Sequence, residues 1–556
     1  MKEKLVIVLI FIIQGYNIFA QDHPFINEWI TYTNNLEEGG TDLNTNVAVD
    51  GENNVYITKA TMDYYNDHIL GSLTKFSPDG ELLWTSESFG RTEGLTIDQN
   101  GDIIISGYTA LEVGIATNGT FQETYGGGYG DGFLMKFRDN GEIIWGTYFG
   151  GTGTESGNNA YFLGLEVTED NDIIYSSRIQ SEDMATPGTF QYERNGAEYT
   201  ISKFTTNGQR EWTTYYGADE IHQQRITGLQ VDGSDIYITG WVWNDTVPNS
   251  YFDTFGDYDF VSDSKEIFVS KFDSTGIRVW SQYLPGNGDE DGRRHALALI
   301  NDHLYITFSS TSSDFGTEGT SFPHPGSGFP GVLVKIDLEG NLVWSTYLPD
   351  SIMPYNNSPS IFSNNINGIY AMGSTFAVDD GLLGMFNREI EDTATHYIIK
   401  FSDEGEMIWG NYLGNSSNTE WFQYAMAFHD AGFYTIGSSV GYANIATEGA
   451  FQDTPDGNYN HFLTKYKDDI LGVENLDTVH FTAYPIPASN ILHLDLNRNL
   501  KFPILAKIYN TLGQLVKMQE ILESVSYINV GVLSSGVYFL EVETGSRIEK
   551  KRVIIK

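Results

Sequence analysis

A short pattern of residues recurs along most of the chain, and it constrains the fold more than any other feature of the sequence. In each copy a Lys precedes a Gly by five positions, and the Gly precedes a Trp by four. The gapless copies span 73–84, 134–145, 201–212, 269–280, 333–344 and 398–409. A seventh copy at 462–469 has Lys465 but no Trp, whereas the segment 27–35 supplies Trp29 with no Lys before it. The two incomplete copies therefore add up to one complete unit.

Each copy has the form of two antiparallel strands joined by a tight turn, in which the Gly adopts the positive φ that the turn requires. A second hairpin recurs between the copies, as at 95–109, 229–242 and 426–439. We therefore expect four strands per unit, named a to d, with the Trp on strand d. Aromatic residues make up 14% of the chain and Gly counts 59, a composition that favours short strands and turns over helices.

The repeat predicts an all-β fold, a seven-bladed β-propeller over residues 21–469. The N-terminal strand at 27–35 is expected to complete the last blade and close the ring, which removes exposed sheet edges. The recurring Trp residues are expected to wedge between blades, and the recurring Lys residues to extend along the strands towards solvent. These Trp residues are Trp29, Trp84, Trp145, Trp212, Trp280, Trp344 and Trp409. A Tyr follows the Trp by three positions in every unit except one, where Glu87 takes its place.

Units of this form resemble the seven-bladed β-propeller repeat family that is common in secreted bacterial proteins. The resemblance covers roughly residues 27–469. It implies the fold but no particular activity, because the family is not tied to one.

The first twenty residues have the pattern of a signal peptide. Lys2 and Lys4 precede an apolar run from Leu5 to Ile13, and cleavage is expected between Ala20 and Gln21. The apolar run is shorter than the roughly 20 residues that span a bilayer, so we expect no transmembrane anchor after signal removal.

The composition changes after Lys465, where an acidic linker at 470–480 leads to a separate all-β segment at 481–556. Its landmarks are YPIPASNILHLDL, KIYNTLGQLVK, INVGVLSSGVYFLEV and the basic end EKKRVIIK. Together they resemble the type A C-terminal sorting domain of the type IX secretion system of Bacteroidetes, although Ile486 stands where that family usually has Asn. The resemblance implies a small β-sandwich that the secretion machinery binds, and export to the cell surface or medium through Sec and then type IX transport.

Charge and cysteine content exclude several classes of partner and chemistry. The formal net charge is −43, which argues against nucleic acid because phosphate binding needs clustered Lys and Arg. The chain contains no Cys, so it has no disulfide, thiolate metal site or thiol nucleophile.

The long connections between blades are expected to share one face of the disc, and a local function is expected there. Candidate ligand-binding residues on this face are Arg91, Glu93, Glu155, Asn158, Asp219, Glu220, His222, Arg225, Arg293, Arg294, Glu420 and Trp421. We expect no organic cofactor. Ca²⁺ is a candidate ligand at Asp289, Glu290 and Asp291, since its ligands in proteins are oxygens.

No catalytic residue pattern is found, so we expect a binding or scaffold module with a glycan or protein ligand rather than an enzyme. The alternative is a hydrolase or lyase that acts on polysaccharide across the same face. Paired carboxylates beside aromatic side chains at the mouth of the channel would favour this enzyme.

Overall fold

A computed structural model describes most of the chain. The described residues are 25–33, 46–63, 68–153, 164–218, 224–244, 249–255, 264–284, 286–292, 295–325, 329–348, 359–364, 368–375, 395–413, 421–430, 432–440, 445–455, 459–468, 481–484, 488–496, 504–510, 514–522, 525–544 and 547–556. The chain divides into two compact units, Phe25–Asp468 and a second unit made of Asp469–Lys556 with Met1–Pro24. No helix in these ranges is long and apolar enough to cross a membrane.

The first unit consists of four-stranded antiparallel sheets, one of them with a divided first strand. Its first strand is β1 (Phe25–Tyr32). Sheet 1 contains β2 (Val47–Val49), β3 (Val55–Asp63), β4 (His68–Phe76) and β5 (Leu82–Thr85). Sheet 2 contains β6 (Arg91–Ile97), β7 (Ile103–Thr109), β8 (Asp131–Phe137) and β9 (Ile143–Phe149). Sheet 3 contains β10 (Leu165–Val167), β11 (Ile173–Arg178), β12 (Tyr199–Phe204) and β13 (Arg210–Tyr216).

The remaining sheets of this unit repeat the arrangement. Sheet 4 contains β14 (Gln224–Asp232), β15 (Asp235–Asn244), β16 (Ser264–Phe272) and β17 (Arg278–Tyr283), and the short helix α1 (Asn249–Phe252) lies between β15 and β16 in the sequence. Sheet 5 contains β18 (Glu290–Asp291), β19 (Leu297–Ile300), β20 (His303–Ser310), β21 (Gly331–Asp337) and β22 (Leu342–Tyr347). Sheet 6 contains β23 (Ser360–Asn364), β24 (Gly368–Thr375), β25 (Thr395–Phe401) and β26 (Met407–Leu413). Sheet 7 contains β27 (Trp421–His429), β28 (Gly432–Val440), β29 (Tyr459–Asp468) and β1.

Strand pairing follows the repeat in every sheet of this unit. The Lys of strand c lies opposite the Trp of strand d, as in Lys136↔Trp145 and Lys203↔Trp212. In sheet 7 the strands come from opposite ends of the unit, because β1 pairs antiparallel with β29 and Trp29 lies opposite Lys465. The two incomplete copies of the repeat therefore meet in one sheet.

The first strands of the sheets contact one another in a cycle. Strands β2, β6, β10, β14, β19, β23 and β27 each contact the next, and β27 contacts β2. Apolar side chains pack between neighbouring sheets, for example Tyr56 and Leu73 of sheet 1 with Ile103 and Phe133 of sheet 2. The long-range order of this unit therefore comes from contacts between sheets that follow one another in the sequence, together with the contact between the first and the last.

The recurring Trp residues do lie between sheets, and most of them make the same hydrogen bond. The indole N–H of Trp145 donates to the carbonyl of Thr206 at 2.9 Å, and its ring covers Gly208 in the same turn of the next sheet. The other described bonds of this kind are Trp29 to Pro78, Trp84 to Asp139, Trp212 to Ser274 and Trp344 to Asp403. In these five turns the Gly has positive φ and the Trp ring lies against the space its Cβ would occupy, so both backbone and packing require it. The space beside Gly340 is instead occupied by Gln282.

The expectation that the recurring Lys residues extend towards solvent is wrong for several of them. Lys75, Lys136 and Lys335 are only 5%, 3% and 3% exposed. Lys136 Nζ lies 2.6 Å from an Asp98 carboxylate oxygen and 2.9 Å from Thr206 Oγ1 of the next sheet. A buried ammonium group is stable only when charged and polar partners surround it. Lys75 and Lys136 pair with Asp50 and Asp98 of their own sheets, whereas Lys335 pairs with Asp403 of the next sheet.

The second unit contains two antiparallel sheets with one shared core. The three-stranded sheet contains β30 (Phe481–Tyr484), β31 (Ile491–Leu496) and β34 (Val525–Asn529). The four-stranded sheet contains β32 (Ile504–Asn510), β33 (Leu515–Ile521), β35 (Gly536–Thr544) and β36 (Arg547–Ile555). Leu492 and Ile528 of the first sheet pack with Ile508, Leu540 and Val553 of the second, as in a β-sandwich. The predicted signal peptide, linker and Ile486 lie outside the described residues.

Candidate functional site

Many of the predicted ligand-binding residues lie outside the described ranges. These are Glu155, Asn158, Asp219, Glu220, His222, Arg293, Arg294 and Glu420, together with the predicted cleavage pair Ala20 and Gln21. The backbone of Trp421 starts β27, opposite Ser439. Arg91, Glu93, Arg225 and the predicted calcium residues Asp289, Glu290 and Asp291 are described, and they occupy three different environments.

Arg91 and Glu93 form a buried ion pair at the start of β6. They are 4% and 3% exposed, the Arg91 Nε atom contacts Glu93 Oε1, and the guanidinium lies 5.7 Å from the centre of the Tyr108 ring. The register of β6 shifts between Thr92 and Gly94. This β-bulge leaves Glu93 outside the regular strand pairing. Such bulges often change the direction of a side chain near a functional site.

Glu93 lines a cavity that every sheet of the first unit helps to form. The cavity has a volume of about 180 Å³. Its polar lining includes Asn46, Glu93, Glu166, Gln230 and His295, and each of them belongs to the first strand of a sheet or directly precedes it. The cavity therefore lies where the first strands of these sheets meet.

Glu166 is a titratable group that lines this cavity, and its surroundings shift its pKa. Burial raises the pKa of its carboxyl to about 7, and the hydrogen bond from Gln230 Nε2 at 3.0 Å acts in the opposite direction. Desolvation therefore outweighs the hydrogen bond, and Glu166 changes its charge near neutral pH.

Arg225 lies in a second environment, an aromatic and charged patch at the loop-rich end of sheet 4. Its guanidinium is 5.5 Å from the centre of the Trp241 ring, and Lys265 Nζ lies 4.8 Å from the same ring and 5.9 Å from that of Trp243. The Trp243 side chain is 38% exposed. We call Arg225, Trp241, Trp243, Lys265 and Asp291 the Trp243 patch.

Within this patch, Trp241 has an unusual polar group. Its side chain is 5% exposed, and its Nε1 atom is buried with no hydrogen-bond partner in the part of the chain that the structure describes. A buried N–H without a partner is costly.

Asp289 and Asp291 are both engaged by Lys265. An Asp289 carboxylate oxygen accepts the backbone N–H of Lys265 at 2.7 Å, and Asp291 Oδ2 lies 3.2 Å from Lys265 Nζ. Glu290 instead accepts hydrogen bonds from the hydroxyls of Ser310 and Ser312. Across the described ranges, no group of three or more His, Asp or Glu side chains is placed to hold a metal ion. Calcium binding at these residues therefore stays a prediction.

Glu290 forms a buried carboxyl pair with Glu266 of the neighbouring sheet. Both are 0% exposed. Burial and the nearby charge of Glu266 raise the pKa of Glu290 to about 9, against the opposing hydrogen bonds from Ser312 at 2.5 Å and Ser310 at 3.0 Å. The Glu266–Glu290 pair therefore retains a proton at neutral pH.

Sequence reasoning missed Trp241, Trp243, Lys265 and Glu266. The signal was present in the segment GWVWN at 240–244, where two Trp residues two positions apart lie on the same side of a strand. They end strand b beside the long connection to strand c, on the face where ligand residues were expected.

Comparisons with solved structures show likeness at low identity. An ulvan lyase, described as a new family of polysaccharide lyase, has 8% sequence identity, a TM-score of 0.41 and coverage of 75% of this chain and 90% of its own. The β-propeller domain of the Trilobed protease from Pyrococcus furiosus has 8% identity, a TM-score of 0.37 and coverage of 80% and 99%. The acylaminoacyl peptidase of Pyrococcus horikoshii has 10% identity, a TM-score of 0.35 and coverage of 84% and 58%. No curated protein matches the chain.

A family model gives the clearest match. Residues 482–556 match the secretion system C-terminal sorting domain. This stretch covers the two sheets of the second unit, in which the three segments β31, β32 and β35 supply most of the core. The chain thus carries a C-terminal sorting domain, which implies handling by the type IX secretion system and export from the cell.

Proposed function

We propose that this chain is an exported binding module, a closed seven-bladed propeller that binds a saccharide at the Trp243 patch. The single observation that carries the binding proposal is the exposed ring of Trp243 beside the Lys265 ammonium. A flat aromatic face packs against the apolar face of a sugar ring, and an adjacent charged group bonds its hydroxyls.

The cycle of contacts between first strands supports the closed ring. It joins all seven sheets, and the pairing of β1 with β29 completes sheet 7 from the other end of the unit. The central cavity lined from every sheet fits the same arrangement. We assign residues 21–469 to the propeller, 470–480 to a linker and 481–556 to the sorting domain, with residues 1–20 as the signal peptide for the Sec step.

A glycan array tests the binding proposal. The chain without residues 1–20 should bind a defined class of saccharide, and Trp243→Ala should weaken that binding by at least about tenfold, as expected for an aromatic side chain central to a site. Tyr129→Ala is the matched control, because Tyr129 is an 87% exposed aromatic residue in the connection between β7 and β8. Equal binding by wild type and Trp243→Ala would exclude the patch as the ligand site.

The polysaccharide hydrolase or lyase is the second candidate, because Glu266 and Glu290 are paired carboxylates close to the patch. Both are fully buried and bonded to Ser side chains, whereas a catalytic acid or base has to reach its substrate. Incubation of the chain with the bound polysaccharide distinguishes the candidates. A binding module leaves it intact, a hydrolase releases new reducing ends and a lyase releases unsaturated ends.

Calcium at Asp289, Glu290 and Asp291 is a separate proposal with its own test. If Ca²⁺ binds the folded chain, the melting temperature should rise with its concentration, by about 2.7 kcal/mol of stability at a hundredfold excess over Kd. Replacing the three residues with Asn, Gln and Asn should reduce this gain. A melting curve that millimolar Ca²⁺ leaves unmoved would exclude the site.

A further inference from the structure

The outer edge of strand d is covered in five sheets by the connection between strands b and c of the same sheet. In sheet 2 the backbone N–H of Thr117 donates to Gly146 O at 2.9 Å, and Gly146 N–H donates to Thr117 Oγ1 at 3.2 Å. The same bond to strand d is made from Thr186 to Thr213, Thr254 to Ser281, Thr317 to Ser345 and Thr447 to Ile30. We call these connections the cover segments.

The cover segments share a sequence. Three of them have the form Thr-x-Gly-x-Phe-Gln, at 117–122, 186–191 and 447–452. The carbonyl of the closing Gln accepts a backbone N–H from the strand-d Tyr, as in Tyr148 to Gln122 at 3.1 Å. The Tyr hydroxyl bonds back to the same connection, as from Tyr148 to Leu111 at 2.8 Å.

Sheet 1 has no room for a cover segment of its own. Strand β3 ends at Asp63 and strand β4 begins at His68. Glu87 stands where the other strand-d segments have the Tyr that holds a cover segment, which accounts for the one exception in the repeat.

The edge of β5 is correspondingly exposed. Thr85 is exposed, whereas its equivalents Gly146, Thr213, Ser281 and Ser345 are buried. In the covered sheets, the cover segment accepts the backbone N–H groups at the positions equivalent to Thr85 and Glu87. Among the residues that the structure describes, no group accepts these two N–H groups in sheet 1. An unpaired strand edge is a template for another polypeptide.

The covered sheets also define where an added segment would place its Phe. The ring of Phe121 lies against Phe204, and the Arg210 guanidinium is 4.3 Å from its centre. Residue 143 has the position of residue 210 in the repeat, and Ile143 is 50% exposed. Sheet 1 therefore presents both unpaired backbone groups and an apolar contact for Phe.

We propose that the outer edge of sheet 1 is a docking site for a partner protein that supplies an extended segment of the Thr-x-Gly-x-Phe-Gln type. Five cover segments make the backbone bond to strand d, and three of them have this sequence, so they show which chemistry such an edge accepts. Pairing with the same edge of a second copy is disfavoured, because Glu81 and Glu87 flank β5 and would face like charges.

A peptide with the sequence of residues 115–124 serves as the probe in an anisotropy titration with the chain lacking residues 1–20. It should bind saturably, and hydrogen exchange at residues 85–88, fast in the free chain, should slow on binding. Ile143→Glu should weaken binding by at least about tenfold, because the negative face of the Phe ring repels a carboxylate, unlike the guanidinium that Arg210 places at the equivalent position. Leu342→Glu is the matched control, since Leu342 has the same repeat position in sheet 5 and is 51% exposed.

Three results would overturn the proposal. Slow exchange at residues 85–88 in the free chain would show that the edge is already covered. Equal affinity of wild type and Ile143→Glu would place the peptide elsewhere. A dimer that Ile143→Glu dissociates would assign the edge to a second copy. If the proposal is right, a peptide in which the residue corresponding to Phe121 is replaced by Ala should bind more weakly than the original peptide.

Discussion

Each strand-d Trp belongs to two sheets at once. The ring of Trp212 is 6% exposed, its N–H donates to Ser274 O at 2.8 Å, and it leaves Gly276 no space for a Cβ. Because one side chain supplies both apolar packing and a satisfied polar group, its removal affects the boundary between sheets rather than one strand.

Trp212→Ala should therefore lower the free energy of unfolding by about 3–5 kcal/mol, the usual cost of truncating a buried aromatic side chain. Trp212→Phe should cost less, because it keeps most of the packing and loses only the hydrogen bond. Urea unfolding measures both changes. As a control, Tyr129→Ala should change the free energy of unfolding by less than about 0.5 kcal/mol. A loss as small as that for Trp212→Ala would refute the role of Trp212 in packing between the two sheets.

Glu290 predicts a pH dependence of stability. Its folded pKa of about 9 lies above the ordinary value of 4.5, so the folded state binds more protons than the unfolded state between these values. Stability from this group is present below about pH 4.5 and is lost as the pH rises towards 9.

Glu290→Gln keeps the size of the side chain and removes its ability to ionise. The stability of this variant relative to wild type should therefore increase from pH 5 to pH 9. Thermal unfolding across this range measures the difference. Glu142→Gln is the control, because Glu142 is an exposed turn residue. A constant difference between Glu290→Gln and wild type would mean that Glu290 is ionised in the folded chain.

At the scale of elements, the repeat was sufficient to predict where strands c and d lie and that they pair through a tight turn. It did not reveal the cover segments, because they contain no regular strand and their bonds use Thr side chains as well as the backbone. The pattern Thr-x-Gly-x-Phe-Gln was nevertheless visible in the sequence, and the absence of Tyr at Glu87 marked the sheet that lacks it.

The candidate site was predicted less well than the fold. Loop position identified Arg225 and Asp291, but Trp241, Trp243 and Lys265 lie within strands and were not distinguished from core residues. Tertiary packing decides whether a strand-end Trp is buried or exposed, and Trp243 at 38% exposure differs from Trp241 at 5% although both lie on β15. Sequence periodicity contains no information on that difference.

The whole molecule combines the proposed propeller with a sorting domain, and each part leads to a separate prediction. Fusion of residues 470–556 to a neutral periplasmic cargo should carry the cargo across the outer membrane of a type IX host, because the matched sorting domain lies within this segment. Immunoblots of cell-surface and medium fractions measure the export. The same fusion in a strain without the type IX machinery is the control, and cargo retained in the periplasm of the competent host would contradict the assignment.

Closure of the ring is the central claim, and deletion of strand β1 tests it most directly. Without residues 21–35, sheet 7 loses its fourth strand, the edge of β29 is exposed, and the hydrogen bond from Trp29 to Pro78 of sheet 1 is lost. We predict a large fall in the melting temperature of the whole propeller, whereas deletion of residues 21–24, which precede β1, should leave it unchanged. An unchanged melting temperature after deletion of residues 21–35 would contradict the closed ring.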